Sequence, residues 1–277
     1  MTPGPSEVAS GVSLVVGAGG GVGCSVAVAL AAAGRRVALV DRDAEALEAA
    51  VEAVRRGGHP GGAPLAITAD VTDTKEVGAA CAQVERDGGP VDVLVSAAGI
   101  YGERVGFLAA DPDRWWDVLL ANVRAPALCA QQVLPRMVAR RRGHVVHINS
   151  RAATWDDPGQ SSVAYSTSKG ALARFTSALA AEVAGTGVVV LDLSPGMVRT
   201  RMTADRADLA SLPDSAFVPL PAVGAKVVAL VSGRYDALHG RFVHTTDDLD
   251  LLVRRIQGDR RARSFALVPY GDDDPLA

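Results

Sequence analysis

The segment SLVVGAGGGVG, residues 13–23, runs from a β-branched apolar tract into a cluster of glycines and on into the helical pattern Val22–Ala33. Strand, glycine turn and helix in direct succession suit a chain that must bend sharply and let a diphosphate approach without Cβ atoms in the way. The free N–H groups and positive dipole end of the helix then face the phosphate charge. The glycines are spaced Gly17-x-x-x-Gly21-x-Gly23, with Gly19 between them. The commoner G-x-G-x-x-G pattern fails, because Val22 or Cys24 falls on its last position. A flexible turn in a glycine-rich chain is the plainer reading, and the strand–turn–helix context favours nucleotide binding over it.

Outward from this loop, short apolar runs alternate with longer helical patterns. The runs are Ser13–Val16, Arg36–Val40, Leu65–Ala69, Val91–Val95, His144–Ile148 and Val188–Leu193. Between and after them, helices are predicted near 44–55, 74–86, 113–140, 161–183 and 221–231. Nearly continuous β-branched runs separated by helices mark a parallel sheet covered on both faces. The fold class predicted is α/β, a Rossmann-type doubly wound sheet of about seven strands in three layers. One domain is expected over 11–245, with a flexible tail at 1–10 and a C-terminal extension of unassigned role at 246–277.

Bulk properties restrict the function classes. Hydrophobic residues make up 48% and charged residues 21% of 277, with a net charge of −3 and no basic block, so no nucleic-acid partner is expected. No apolar run reaches the length of a membrane span, and MTPGPSEVAS lacks the regions of a signal peptide. A cytoplasmic protein is expected. Cys24, Cys81 and Cys129 are scattered in apolar surroundings and read as small hydrophobes; the five histidines form no ligand pattern, so no metal is expected.

Two further sites carry chemistry. Asp41 ends the second strand run, eighteen residues after Gly23. A carboxylate there can accept adenosine ribose hydroxyls and repel a 2′-phosphate, or it can cap the next helix, for which Asp43 is equally placed. Arg42 beside it is able to receive a 2′-phosphate, so NAD is preferred and NADP remains open. In AYSTSKG, residues 164–170, Tyr165 and Lys169 stand four apart on one helix face. They are either ordinary helix residues or a proton-transfer pair. An ammonium beside a phenol favours the phenolate and brings it toward use as an acid and base.

Together, glycine spacing, Tyr-x-x-x-Lys, length and strand order make the chain similar to the short-chain dehydrogenase/reductase family over about residues 10–243. The resemblance implies an NAD(P)-dependent oxidoreductase interconverting a secondary alcohol and a ketone. ADVTD points to Asp70 and Val71 as adenine contacts. WWDVLLANVRAP points to Asn122, implied to hold a water linking Lys169 to solvent. GHVVHINS points to Ser150 as the group bonding the substrate oxygen. Lys169 is implied to hold the nicotinamide ribose. LSPGMVRT implies that Pro195, Gly196 and Val198 line the nicotinamide and that Thr200 bonds its carboxamide. The stretch Ser96-Ala97-Ala98-Gly99 stands where the family has Asn-Asn-Ala-Gly, and Val16 stands where it has Thr. Loss of both polar partners is close to neutral, whereas loss of one would strand the other. The implied assembly is a homodimer or homotetramer built on the helices near 113–140 and 161–184.

Substrate identity is the least legible feature. Candidate pocket residues are Tyr101, Arg151, Trp155, Asp156, Met197 and Met202, with Thr203–Pro219 expected to form a mobile lid. TWDDPGQ (154–160) reads as a lengthened loop at the substrate mouth. Two alternatives use the same fold: a dinucleotide-binding sensor without chemistry and an NADP-preferring ketoreductase.

Overall fold

The computed structural model describes residues 11–58, 60–155, 162–204, 206–259 and 261–265. The expectations for the tail 1–10, for Asp156 and Asp157 in the mouth loop, and for the end of the chain past 265 lie outside the described residues.

Seven parallel strands form one sheet: β1 Val12–Val16, β2 Arg36–Asp41, β3 Leu65–Thr68, β4 Val91–Ser96, β5 Gly143–Ile148, β6 Val188–Ser194 and β7 Phe242–His244. Their order is β3-β2-β1-β4-β5-β6-β7. The order reverses between β1 and β4, and in such sheets ligands bind beyond the carboxyl ends of the strands at that reversal. Strands β1, β4 and β6 are buried along their whole length, which is why their sequences run apolar without alternation.

The helices are α1 Gly21–Ala32, α2 Ala44–Arg56, α3 Thr74–Gly88, α4 Pro112–Leu119, α5 Ala125–Arg140, α6 Val163–Glu182, α7 Arg201–Ala204, α8 Ala207–Ala210, α9 Leu220–Leu230 and α10 Leu249–Gly258. Helices α1, α2, α9 and α10 pack on one face of the sheet, through residues such as Leu30, Val54, Val227 and Ile256. Helices α3, α5 and α6 cover the other, through Val84, Val133, Met137 and Ala180. Helix α10 thus seats Leu252 and Ile256 in the first core, within the stretch read from sequence as an extension.

The sequence predicts one long helix over 113–140, broken only at its prolines. The structure places the irregularity elsewhere: a π turn, Leu120–Arg124, joins α4 to α5 and holds Asn122, while Pro135 is accommodated inside α5. Side-chain caps fix several helix starts. Asp43 accepts from Ala46 N–H at the head of α2, Asp73 from Lys75 and Glu76 at α3, and Ser162 from Tyr165 N–H at α6. Asp43 therefore takes the capping role and leaves Asp41 to face the glycine loop.

Candidate active site

The glycine loop runs against the end of β4. Gly17 has φ +78°, and a Cβ there would lie 2.3 Å from Ala98 N, so only glycine fits. Gly20 precedes α1 with no side-chain cap, and no acidic residue occupies the first turn, which leaves the N–H groups of that turn open toward the cleft. Asp41 locks the loop from below: Oδ2 accepts Gly19 N–H at 2.9 Å and Oδ1 accepts Asp43 N–H at 3.0 Å.

From this loop a cleft of about 1170 Å³ extends across the carboxyl ends of the strands. Gly17, Gly21, Val22, Gly23, Asp41, Arg42, Asp70, Val71, Ala97, Ala98 and Gly99 line it. Ser150, Tyr165, Lys169, Pro195, Gly196, Val198 and Thr200 line it as well. Tyr101, Arg151, Trp155, Met197 and Met202 also line it. Gly19 does not face the cleft; its N–H is committed to Asp41. Arg42 lies 3.8 Å from Asp70 in an exposed ion pair.

At the inner end, α6 presents Tyr165 and Lys169 side by side, with the Lys169 ammonium 5.7 Å from the centre of the phenol ring. Lys169 is buried and donates to Ile148 C=O at 2.9 Å. Burial pulls its pKa down to about 8, against the attraction of Asp192. Burial raises the Tyr165 phenol above its ordinary value; the adjacent Ser150 side chain works the other way, and Tyr101 adds to the rise. Desolvation therefore outweighs the lowering that sequence reasoning expects from Lys169 when the protein stands alone. Ser150 Oγ also accepts Ala152 N–H at 3.2 Å, which fixes its rotamer at the cleft floor.

Asn122 is carried by the π turn. Its side chain is fully buried and does not line the cleft. Nδ2 donates to Ile100 C=O and to Ser168 Oγ, both at 2.9 Å, while Oδ1 accepts Ile100 N–H at 2.8 Å. The amide is a clip between the β4 exit and α6.

Several lining residues carried no sequence signal. His244, which ends the short strand β7, and the following Thr245 and Thr246 stand at the cleft wall. Arg201 spans Asp43 at 3.2 Å over the glycine loop. In the expected lid, Ser215–Pro219 line the cleft, and Val218 N–H donates to Met197 C=O at 2.7 Å. Among the described residues no group of three or more His, Cys, Asp or Glu is arranged to hold a metal, and no helix is long and apolar enough to cross a membrane.

Comparison with known proteins agrees with this fold. The family model for short chain dehydrogenase matches residues 11–209. A short chain dehydrogenase of Pseudocercospora fijiensis is 39% identical over 195 residues, 69% of this chain and 61% of that protein, so the chain spans about three fifths of that relative. The 2-(R)-hydroxypropyl-CoM dehydrogenase of Xanthobacter autotrophicus is 39% identical over 215 residues, 76% of this chain and 84% of that one. Among solved structures, an actinorhodin polyketide ketoreductase with NADPH superposes with a TM-score of 0.78 at 28% identity, over 85% of this chain and 95% of the other. On the family model and these relatives together, the chain belongs to the short chain dehydrogenase family.

Proposed function

We propose that this oxidoreductase interconverts a secondary alcohol and its ketone, with Tyr165 as the acid and base, Ser150 and Lys169 beside it, and NAD as the preferred cofactor. The observation that carries the reading is the convergence of Ser150, Tyr165 and Lys169 at one end of a cleft whose other end is the glycine loop and Asp41.

The residues fit a dinucleotide. The open first turn of α1 suits a diphosphate, and Asp41, fixed by two backbone donors, suits ribose hydroxyls. A 2′-phosphate would meet the Asp41 carboxylate, and the nearest cation, Arg42, already pairs with Asp70. Pro195, Gly196, Val198 and Thr200 would hold the nicotinamide end. When bound, that ring supplies the hydride acceptor or donor. In oxidation the phenolate oxygen of Tyr165 takes the hydroxyl proton as the substrate carbon loses its hydride; in reduction the phenol returns a proton to the carbonyl oxygen. Ser150 holds that oxygen by hydrogen bonding as its charge grows. Lys169 favours the phenolate, offsetting the burial that raises it. The substrate is a small molecule entering past Tyr101, Trp155 and Met202. Exposed Trp116 and Leu120 along α4 and its π turn are apolar surface suited to a second copy of the chain, in a homodimer or homotetramer.

The test is a panel of secondary alcohols and ketones with NAD(H) and NADP(H), read by absorbance of the reduced nicotinamide. Tyr165→Phe should retain dinucleotide binding and lose nearly all turnover. Retained turnover in that variant removes the assignment, and binding without turnover by the parent would favour a sensor.

A further inference from the structure

Behind the cleft lies a buried polar chain that the reaction above does not use. Strands β5 and β6 pair His147 directly with Asp192, and both side chains are almost wholly buried, His147 at 0% and Asp192 at 3% exposure. Thr176 of α6 sits between them. Its hydroxyl donates to Asp192 Oδ1 at 3.0 Å and lies 2.8 Å from His147 Nδ1. One hydroxyl carries one proton. With that proton given to Asp192, the Thr176 oxygen accepts from Nδ1–H, so His147 is the neutral Nδ1–H tautomer. Its Nε2 has no partner. The Asn149 amide also lies against the Asp192 carboxylate, outside strict hydrogen-bond geometry.

Lys169 precedes Thr176 by seven residues, two turns along the same helix face. It makes no ion pair among the described residues, and its hydrogen bond goes to the neutral carbonyl of Ile148. A buried ammonium without a counter-charge loses its proton readily. We propose that Asp192, held by Thr176 and His147, is a positioning residue that supplies the buried counter-charge of Lys169 and keeps that side chain an ammonium during the reaction.

The inference rests on the catalytic reading of Lys169. On β5, His147 is the register partner of Asp192, and the Lys169 ammonium of α6 bonds the carbonyl of the next β5 residue, Ile148; the neighbour on β7 is Phe242, which carries no charge. Tyr165 is a further titratable group beside Lys169, and His147 also feels the Lys169 charge. Burial pushes the Asp192 carboxyl up to about 7, against Asn149, Thr176 and Lys169, and pulls Lys169 down to about 8. Burial opposes both charges, and each is favoured by the other. Burial likewise pulls His147 down to about 3, so it contributes no cation there.

The chain has only three lysines, Lys75, Lys169 and Lys226, so Lys169 can be followed directly without knowledge of the substrate. The experiment is a pH titration of ¹³Cε-lysine NMR signals in the full chain and in Asp192→Asn, an isosteric change that keeps an acceptor for Thr176. The Lys169 midpoint should fall by roughly one pH unit or more, the scale of one lost opposite charge. Thr176→Val, which leaves the charge and frees its position, should give a smaller fall. If Asp192→Asn does not fold, the double variant His147→Asn with Asp192→Asn replaces the pair by two neutral amides and is read the same way. A Lys169 midpoint that stays with the parent's in the variant lacking the carboxylate overturns the inference. The catalytic reading has its own outcome: full turnover in Lys169→Ala removes that reading, whatever the titration shows.

Discussion

The ring of Tyr101 lies stacked on that of Tyr165, with centroids 4.8 Å apart and planes 27° from parallel. Tyr101 Oη also accepts Ser162 N–H at 3.1 Å, and Ser162 caps the helix that carries Tyr165. The loop after β4 thus braces both the phenol ring and the start of its helix. Arg104, 4.2 Å above the Tyr101 ring, extends the brace to Met202 C=O at 2.9 Å.

An aromatic pair is worth about 0.5–1.5 kcal/mol beyond its burial, but a misplaced acid costs more in rate than the pair contributes to stability. Tyr101→Ala should lower kcat on the order of 10-fold with dinucleotide affinity near the parent's. Tyr101→Phe keeps the stack and should retain most turnover. Steady-state kinetics on the three proteins decides; an unchanged kcat in Tyr101→Ala would remove the bracing role.

His147 and Asp192 also make opposite contributions to stability as pH changes. Asp192 moves from 3.8 unfolded to about 7 folded, so the folded state binds the extra proton and stability falls as pH rises between those values. His147 moves from 6.5 to about 3, so the unfolded state binds the extra proton and stability rises with pH between those values. The two slopes oppose each other from 3.8 to 6.5. His147→Asn removes the rising one. Relative to the parent, its unfolding free energy should fall by about 1 kcal/mol per pH unit across that window. Urea unfolding at several pH values measures this, and parallel pH curves for the two proteins would show that the histidine plays no such part.

The residue pattern exposed the sheet because five of its strands are β-branched and largely buried, while Leu65–Thr68 is a half-exposed strand of four residues. The seventh, Phe242–His244, is three residues long and too short for a period to register. That the glycine loop, Asp41, Ser150, Tyr165 and Lys169 line one cleft was legible, because each lies at the carboxyl end of a strand or on the helix that follows one. The pattern gives the position of Asn122 but not its hydrogen bonds, which the π turn directs inward. His147 and Asp192 left a trace, a polar residue inside VVHIN and VVLDL. Only the in-register pairing of β5 and β6 shows that the two belong together.

The proposed preference for NAD rests on Asp41. Asp41→Ser removes the charge that opposes a 2′-phosphate while keeping a hydroxyl for Gly19 N–H. The ratio of kcat/KM for NADP over NAD should rise at least about 10-fold, equivalent to about 1.4 kcal/mol. Adding Glu76→Gln, which loosens the Asp70 segment by weakening the acceptor for Asp70 N–H, should leave that ratio unchanged. A parent that already prefers NADP would remove the assignment of Asp41.

Two glycine substitutions separate loop geometry from helix propensity. Alanine exceeds glycine inside a helix by about 1 kcal/mol, so Gly→Ala stabilises where space allows. At Gly78 in α3 the nearest atom to a new Cβ is Gln132 Oε1 at 3.9 Å, and Gly78→Ala should raise stability by up to that amount. At Gly23 in α1 the Cβ would lie 2.1 Å from Gly17 C=O and 2.8 Å from its carbon, both backbone atoms. The turn must then shift on the order of 1 Å, a displacement that outweighs the propensity gain and moves the donors of α1 away from a bound diphosphate. Gly23→Ala should lower the melting temperature and weaken dinucleotide binding on the order of 100-fold, whereas Gly78→Ala should leave binding alone. Calorimetric melting and dinucleotide titration of both variants measure the contrast, and tight binding by Gly23→Ala would mean that the close approach of the loop to its helix is not what forms the phosphate seat.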